Sequence, residues 1–243
     1  MKIRNTGTYT IDEIEKHVWE CIRKTIDEFR RRPYQFLREA AIVNYMRKCL
    51  FTTQLEVEYK DRRLYLVDKN YPTNFRYDKD LLMTMKEPYP LSDDQGTQGY
   101  YDLVVIKPEY VEKPSLADIA NNKVPKIETW FNSNSKELLF AIEFNFVTCD
   151  DSTFVEDIKI DNKKLLFAKG SNVGHAINLV FCVVNKENSS KYKEAAFAAE
   201  PGVTAIFIQS YLDTHKKIMV KPKPLLHTND QAVKLLHGYK LCE

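Results

Sequence analysis

The chain has 243 residues and a formal net charge of +2, with 44% hydrophobic and 29% charged residues. This composition is typical of a soluble globular protein with one sizeable core, and we expect a single α/β domain over residues 1–243. The near-neutral charge neither requires nor excludes nucleic acid, which would have to bind at local clusters of Lys and Arg.

The five cysteines have no CxxC or Cys/His ligand spacing. This pattern argues against structural zinc and for a reducing compartment. The N-terminus lacks a signal-peptide core, and no apolar run reaches the length of a membrane span. We therefore predict a cytoplasmic protein without a membrane partner, and the sequence leaves open whether it forms a homodimer.

The N-terminal part of the chain is predicted to contain two helices. The first spans residues 10–32, because Thr10 and Glu13 form a capping box, apolar residues follow at helical spacing, and Pro33 ends the helix. The second runs from near residue 34 to about residue 50. It is apolar around most of its circumference, which predicts that it is buried.

Glu39 lies on an apolar stripe of this second helix, together with Phe36, Val43, Met46 and Leu50. A carboxylate on such a stripe either reaches a polar site or pairs with a buried cation. The sequence leaves both interpretations open.

The middle of the chain is predicted to be rich in strands. Two β-rich runs lie at residues 55–59 and 63–67, and residues 69–99 are polar and predicted to form a loop. The next strand contains the apolar run 100–106, which is interrupted by Asp102. Residues 107–137 are rich in Pro, Asn, Ser and Lys and are predicted to be an insertion before the following strand.

The run Leu138–Val147 reads as a buried strand but contains Glu143 and Asn145. Side chains alternate across a strand, so these two residues share one face. A carboxylate in such a run is expensive to bury unless it is paired, hydrogen-bonded or bound to a metal.

The remaining elements alternate between helix and strand. Helices are predicted at residues 153–169 and 190–199, strands at 177–184 and 203–209, and an edge strand at 218–220. This order predicts an α/β fold with a mixed central β-sheet flanked by helices.

Asp102 and Glu143 together indicate a site for a divalent metal ion. Hard cations such as Mg²⁺ or Mn²⁺ take oxygen ligands, usually one or two carboxylates with water and substrate phosphate. The two side chains can converge only if their strands are neighbours. The alternative is that each carboxylate forms an ion pair in an ordinary core.

The pattern resembles the PD-(D/E)xK nuclease superfamily, the restriction-endonuclease-like fold, over about residues 34–210. Glu39 matches the helical Glu of that family, Tyr101-Asp102 matches its PD pair, and Glu143-Phe144-Asn145 matches its ExK triplet. The resemblance implies hydrolysis of phosphodiester bonds in DNA with Mg²⁺ or Mn²⁺. It also implies that Asp102 and Glu143 are metal ligands and that Glu39 is a metal or water-positioning group.

Two departures from the family pattern matter. The carboxylates are 41 positions apart, which requires the insertion at 107–137, and Asn145 replaces the Lys. The Lys of this family is expected to steady the attacking water and the developing charge, which is a task for a cation. Divergent members recruit a Lys from the following helix, and Lys159 and Lys163 are the candidates here because they share one helical face. The alternative is that both are solvated surface lysines.

Four short basic clusters are candidates for contact with phosphate: Arg30–Arg32, Arg62–Arg63, Lys163–Lys164 and Lys216–Lys217. Aromatic residues such as Tyr34 lie close to some of them. The sequence has no Walker A, GxGxxG or GxSxG motif, which argues against ATP-driven chemistry, Rossmann cofactors and serine hydrolysis.

Three functions therefore compete. The leading prediction is a metal-dependent nuclease acting on DNA through Asp102, Glu143 and Glu39, with Lys159 or Lys163 as the cation. The second is a catalytically degenerate domain of the same fold that binds nucleic acid or protein, which the loss of the motif Lys favours. The third is a globular protein without nuclease ancestry whose strand carboxylates are ion-paired.

Overall fold

The computed structural model describes residues 9–51, 55–59, 62–77, 83–84, 97–108, 138–170, 172–228 and 240–241. Its helices are α1 (Ile11–Arg31), α2 (Glu39–Phe51), α3 (Thr153–Gly170) and α4 (Lys186–Phe197), with a 3-10 turn at Pro33–Gln35. Its strands are β1 (Glu56–Tyr59), β2 (Arg62–Tyr65), β3 (Val67–Tyr77), β4 (Met83–Thr84), β5 (Thr97–Ile106), β6 (Leu138–Val147), β7 (His175–Cys182), β8 (Val203–Gln209), β9 (Tyr211–Asp213), β10 (Ile218–Val220), β11 (Leu225–His227) and β12 (Lys240–Leu241).

One mixed sheet forms the centre of the molecule, with the strand order β12-β11-β8-β7-β6-β5-β3-β4. Strands β6, β7 and β8 are parallel neighbours connected through α3 and α4, whereas β5 is antiparallel to both β3 and β6. Every residue of β6, β7 and β8 is buried, as expected for parallel strands covered on both faces. The predicted α/β fold with a mixed sheet between helices is thus confirmed.

Alternation along β6 divides the core into two layers. Trp19 and Phe29 of α1 pack edge-on against Phe140 and Phe146, which belong to one face of the strand. On the opposite face, α3 and α4 cover a second apolar cluster, to which β6 contributes Val147: Val147, Ile158, Val180, Cys182, Val184, Tyr192, Ala195, Ala196 and Phe207. Glu143 and Asn145 lie on this second face, beneath α3.

Some element boundaries differ from the prediction. Residues 69–99 were expected to be a loop, but β3 is an eleven-residue strand that pairs with β5. Its pairing shifts register between Pro72 and Arg76, which interrupts the alternation that a sequence pattern needs. Helix α2 begins at Glu39 and not near Tyr34, because Phe36 has an extended backbone (φ −90°, ψ 99°).

Two other predictions concern segments at the periphery. The strand at 218–220 exists, but it pairs with β9 in a separate two-stranded hairpin and not with the central sheet. The predicted insertion at 107–137 lies almost entirely outside the described residues, which end at 108 and resume at 138. In the described ranges, no helix combines the length and the apolar character needed to cross a membrane.

Gly174 is required at the entry to β7. A Cβ atom there would lie 2.6 Å from the backbone oxygen of Leu139, which cannot move without displacing β6. We expect Gly174→Ala to destabilise the protein by roughly 1–3 kcal/mol, the usual effect of overpacking a core. The matched control is Gly170→Ala at the end of α3, where no atom lies within 4 Å, and it should be neutral or slightly stabilising. Equal melting temperatures for the two variants would contradict this assignment.

Candidate active site: an acidic cleft over the central strands

A cleft of about 300 Å³ opens between α2, α3 and the strands β5 and β6. Five of its lining residues carry a carboxylate and one carries an ammonium group. The lining residues are Glu39, Asp102, Glu143, Phe144, Asn145, Phe154, Asp157, Ile160, Asp161 and Lys164. Asp102, Glu143 and Glu39, the three predicted site carboxylates, are therefore brought together.

Asp102 and Glu143 lie side by side because β5 and β6 are antiparallel neighbours. Leu103 pairs with Ile142 at the end of the β5–β6 ladder, and Asp102 and Glu143 are the next residues of the two strands. The backbone N–H of Phe144 donates to Asp102 Oδ2 at 2.8 Å. This bond orients the Asp102 carboxylate along the edge of β6.

Lys164 of α3 supplies the positive charge of the cleft. Its Nζ lies 2.8 Å from Glu143 Oε2 and 2.8 Å from Asp161 Oδ1, and it donates to the carbonyl oxygen of Tyr100 at 3.0 Å. Glu143 is 1% exposed, so the ion pair is fully removed from water on the carboxylate side. The second oxygen, Glu143 Oε1, is buried and receives no hydrogen bond from an amide, hydroxyl or ammonium group of the described residues, and the carboxyl group of Asp102 lies within hydrogen-bonding reach of Glu143.

Asn145 belongs to a buried network of amides beneath the cleft. Its Nδ2 donates to Asp161 Oδ2 and to Asn178 Oδ1, both at 3.0 Å. Asn178 donates to Asn162 Oδ1 at 2.9 Å, and Asn162 donates to the carbonyl oxygens of Ala195 and Ala196 in α4. Asn145 therefore holds Asp161, which in turn holds Lys164.

Burial is the main cause of the altered acidities in the cleft. It raises the pKa of Glu143 well above its usual value, and the neighbouring Lys164 opposes that effect. The pKa of Asp102 is also raised by burial and by Asp161, while the N–H of Phe144 lowers it. Carboxylates in these surroundings favour a bound proton or a bound cation.

Glu39 stands at the first residue of α2, on the wall of the cleft. Burial of its carboxyl group raises its pKa to about 8, the charges of Asp102 and Asp161 add to the effect, and Lys164 and the N–H of Phe146 oppose it. The side chain as a whole is exposed, so water at the mouth of the cleft moderates this shift. Glu39 can thus exchange a proton with solvent near neutral pH.

The two lysines predicted from the sequence do not line the cleft. Lys159 forms an exposed ion pair with Glu156 at 2.8 Å, and Lys163 is exposed on α3. Helix α3 turns its positions 157, 161 and 164 toward the cleft, which brings Lys164 there instead. The i, i+4, i+7 spacing of Asp157, Asp161 and Lys164 was the available signal, because these positions share one helical stripe.

The residues of the cleft fit a hard divalent cation by chemistry. Their carboxylate oxygens are the donors that Mg²⁺ and Mn²⁺ prefer, and Glu143 Oε1 is a buried acceptor without a donor. Within the part of the chain that the structure describes, no group of three His, Cys, Asp or Glu residues is arranged to hold a metal ion. Mg²⁺ does not require such a group, since it is usually bound by one or two carboxylates together with water and substrate oxygens.

No family model matches the chain, and it has no significant match among curated proteins or solved structures. The resemblance to PD-(D/E)xK nucleases therefore stays a hypothesis. It is carried by the order of the elements and by Glu39, Asp102 and Glu143.

The raised pKa values predict how stability depends on pH without metal. The unfolded carboxyls have pKa values near 4, whereas burial raises the pKa of Glu39 to about 8 and that of Glu143 well above its usual value, so in the window between these values the folded state holds protons that the unfolded state releases. Stability should therefore fall as pH rises through this window. Thermal melts in EDTA should show a lower melting temperature at pH 8 than at pH 5, and Glu143→Gln should reduce the difference. The exposed control Glu200→Gln should keep it. An unchanged pH dependence in Glu143→Gln would contradict the assignment.

Proposed function

We propose that the protein is a divalent-metal-dependent nuclease that hydrolyses phosphodiester bonds in DNA at the acidic cleft. One observation carries the proposal: a buried glutamate, Glu143, has one oxygen paired with Lys164 and the other without a donor, beside a second strand carboxylate. A cation bound near Asp102 and Glu143 would neutralise both carboxylates. The cytoplasmic location predicted from the cysteines is part of this proposal.

Asp102 and Glu143 would hold Mg²⁺ or Mn²⁺. When bound, such an ion polarises a phosphoryl oxygen and lowers the pKa of a bound water. The protein contributes the orientation of these carboxylates, which the N–H of Phe144 and the ammonium of Lys164 provide at 2.8 Å each. Their positions are set before any substrate arrives, because both belong to paired strands.

Lys164 would perform the role of the Lys in the ExK triplet of the PD-(D/E)xK family. Its ammonium group lies at the floor of the cleft and is kept there by Glu143 and Asp161, so it can stabilise negative charge that develops on a phosphate. Glu39 would accept or return a proton at the cleft wall, since a carboxyl with a pKa near the working pH is an effective general base.

A second candidate is a domain of the same fold that binds but does not cleave. The observation in its favour is that Lys164 is already engaged with two carboxylates, which reduces the charge available to a substrate. The third interpretation, an ordinary core with ion-paired carboxylates, accounts for the ion pair between Glu143 Oε2 and Lys164. It offers no cation for Glu143 Oε1 and no reason for Asp102 and Glu39 to share the same cleft.

Cleavage assays on supercoiled plasmid, linear duplex and single-stranded DNA test the nuclease directly. We expect turnover with Mg²⁺ or Mn²⁺ and none in EDTA. Asp102→Asn and Glu143→Gln should lower the rate at least about 100-fold, the usual effect of losing one well-placed electrostatic group, while Glu200→Gln should retain it. If wild type cleaves no form of DNA yet its melting temperature rises with millimolar Mn²⁺, the binding domain is supported. If metal changes neither the activity nor the melting temperature, the interpretation as an ordinary core with ion-paired carboxylates is supported.

Substitutions at Asn145 and Lys164 distinguish a lost lysine from a relocated one. Lys164→Gln should lower cleavage by about 10²–10³. Asn145→Lys should lower it too, because Asn145 is 4% exposed and both hydrogens of its amide are used by Asp161 and Asn178. Lys163→Gln, on the same helix but exposed, is the matched control and should behave as wild type. Increased cleavage by Asn145→Lys together with an active Lys164→Gln would contradict the role given to Lys164.

A further inference from the structure

Two basic clusters that are far apart in the sequence are joined by hydrogen bonds in the fold. Arg30 Nη2 donates to the carbonyl oxygen of Lys221 at 3.1 Å, and Ser210 Oγ donates to the carbonyl oxygen of Arg30 at 3.2 Å. These bonds join the end of α1 to the β9–β10 hairpin and the segment that follows it. We call this area the basic surface, formed by residues 28–34 and 210–223.

The charge of the basic surface differs from that of the whole chain. Its two segments contain seven Lys and Arg residues but only two acidic residues, Glu28 and Asp213, whereas the complete chain has a net charge of only +2. Glu28 contacts Arg31 and Arg32, and Asp213 lies 3.7 Å from Lys216, so both acids are shared with local cations. Lys217, Lys221 and Lys223 are exposed. This surface therefore attracts a polyanion.

Tyr34 adds an aromatic ring at a fixed position. Its hydroxyl accepts a hydrogen bond from the backbone N–H of Leu212 at 2.9 Å, yet the residue is 53% exposed. The ring is thus anchored at its polar end and open to solvent. Aromatic rings held beside cationic groups are the platforms on which unpaired nucleic-acid bases stack.

The apolar residues of the hairpin argue against a membrane as the partner. Leu212 pairs with Met219, and Ile218 pairs with Asp213, one position further along. Leu212 and Ile218 are both exposed, but their side chains therefore point to opposite faces of the ribbon. The hairpin has no single apolar face that could enter a lipid surface.

The basic surface also leads to the acidic cleft. The turn Pro33–Gln35 follows α1 and is joined to Glu39, which lines the cleft, by only three residues. Successive Cα atoms are about 3.8 Å apart, so the chain between Gln35 and Glu39 spans at most about 15 Å. For a single strand of nucleic acid bound at Tyr34, the cleft is therefore only a few nucleotides away.

We propose that the basic surface binds single-stranded nucleic acid and directs it toward the acidic cleft. A single strand fits because its bases are free to stack on Tyr34 while its phosphates contact the lysines; a duplex offers phosphates but no free base. Direction toward the cleft rests on the proposed nuclease function, whereas binding at the basic surface does not.

Lys217 provides a selective test, because it occupies a left-handed backbone conformation with φ 53°. Asn adopts this conformation more readily than Lys, so Lys217→Asn removes the charge without straining the turn. Tyr34→Phe keeps the ring and removes only the hydroxyl, whereas Tyr34→Ala removes both.

The experiment measures binding of the full chain to fluorescein-labelled dT20 and to a 20-base-pair duplex by fluorescence anisotropy. EDTA is present, so the result does not depend on the metal site. Wild type should bind dT20 more tightly than the duplex. Lys217→Asn should weaken binding and lower the slope of log Kd against log salt by about 0.7, the value for one phosphate contact on a single strand. Tyr34→Ala should weaken dT20 binding roughly tenfold, and Tyr34→Phe should keep most of it.

Lys159→Gln is the matched control, since Lys159 is an exposed lysine outside the basic surface, and it should leave Kd and the salt slope unchanged. Equal loss in Lys159→Gln and Lys217→Asn would overturn the proposal. So would binding to phosphatidylserine vesicles or polyglutamate in preference to dT20. If dT20 binds as expected but no DNA is cleaved in the presence of metal, the proposed binding surface is supported and the proposed nuclease function is contradicted.

Discussion

The buried ion pair between Glu143 and Lys164 is the interaction on which the site depends. Strand β6 is buried on both faces, so an unpaired carboxylate at Glu143 would carry a large desolvation penalty. Lys164 Nζ, at 2.8 Å, removes much of that penalty only if α3 lies across β6 with its positions 157, 161 and 164 turned inward. The pair thus couples the docking of a helix to the position of a carboxylate.

Stability alone does not explain why such a pair is present. A buried ion pair can often be replaced by apolar residues of similar volume at no loss, and sometimes with a gain, in stability. Here the pair also leaves Glu143 Oε1 without a donor, and the neighbouring Asp102 raises the pKa of both Glu39 and Glu143. An arrangement that adds negative charge around a buried carboxylate is costly for folding and is typical of sites that bind a cation or move a proton.

The sequence predicts the strand carboxylates better than it predicts the cation. Alternation along β6 places Glu143 on a single face, and the alternation of helices and strands predicts a mixed sheet between helices. The relevant lysine depends on how α3 is rotated, and Lys159, Lys163 and Lys164 differ only in that angle. The rotation is set partly by Asn162, which is buried against Asn178 and the end of α4. A hydrophobic pattern does not show polar residues in a core, so the only sequence signal for the rotation of α3 was the helical stripe that Lys164 shares with Asp157 and Asp161.

In the proposed function, the acidic cleft and the basic surface have complementary electrostatic roles. A cleft lined by five carboxylates and one lysine repels a phosphate chain, so a nucleic acid would not enter it from solution unaided. A neighbouring surface with seven Lys and Arg residues can hold the chain by several phosphates at once, which offsets the repulsion over the few nucleotides that reach the cleft. A divalent cation beside Asp102 and Glu143 would then reverse the local charge where the phosphate must approach. Binding and chemistry would therefore be governed by different groups, and salt would weaken the first far more than the second, because Glu143 and Lys164 are buried whereas the lysines of the basic surface are exposed.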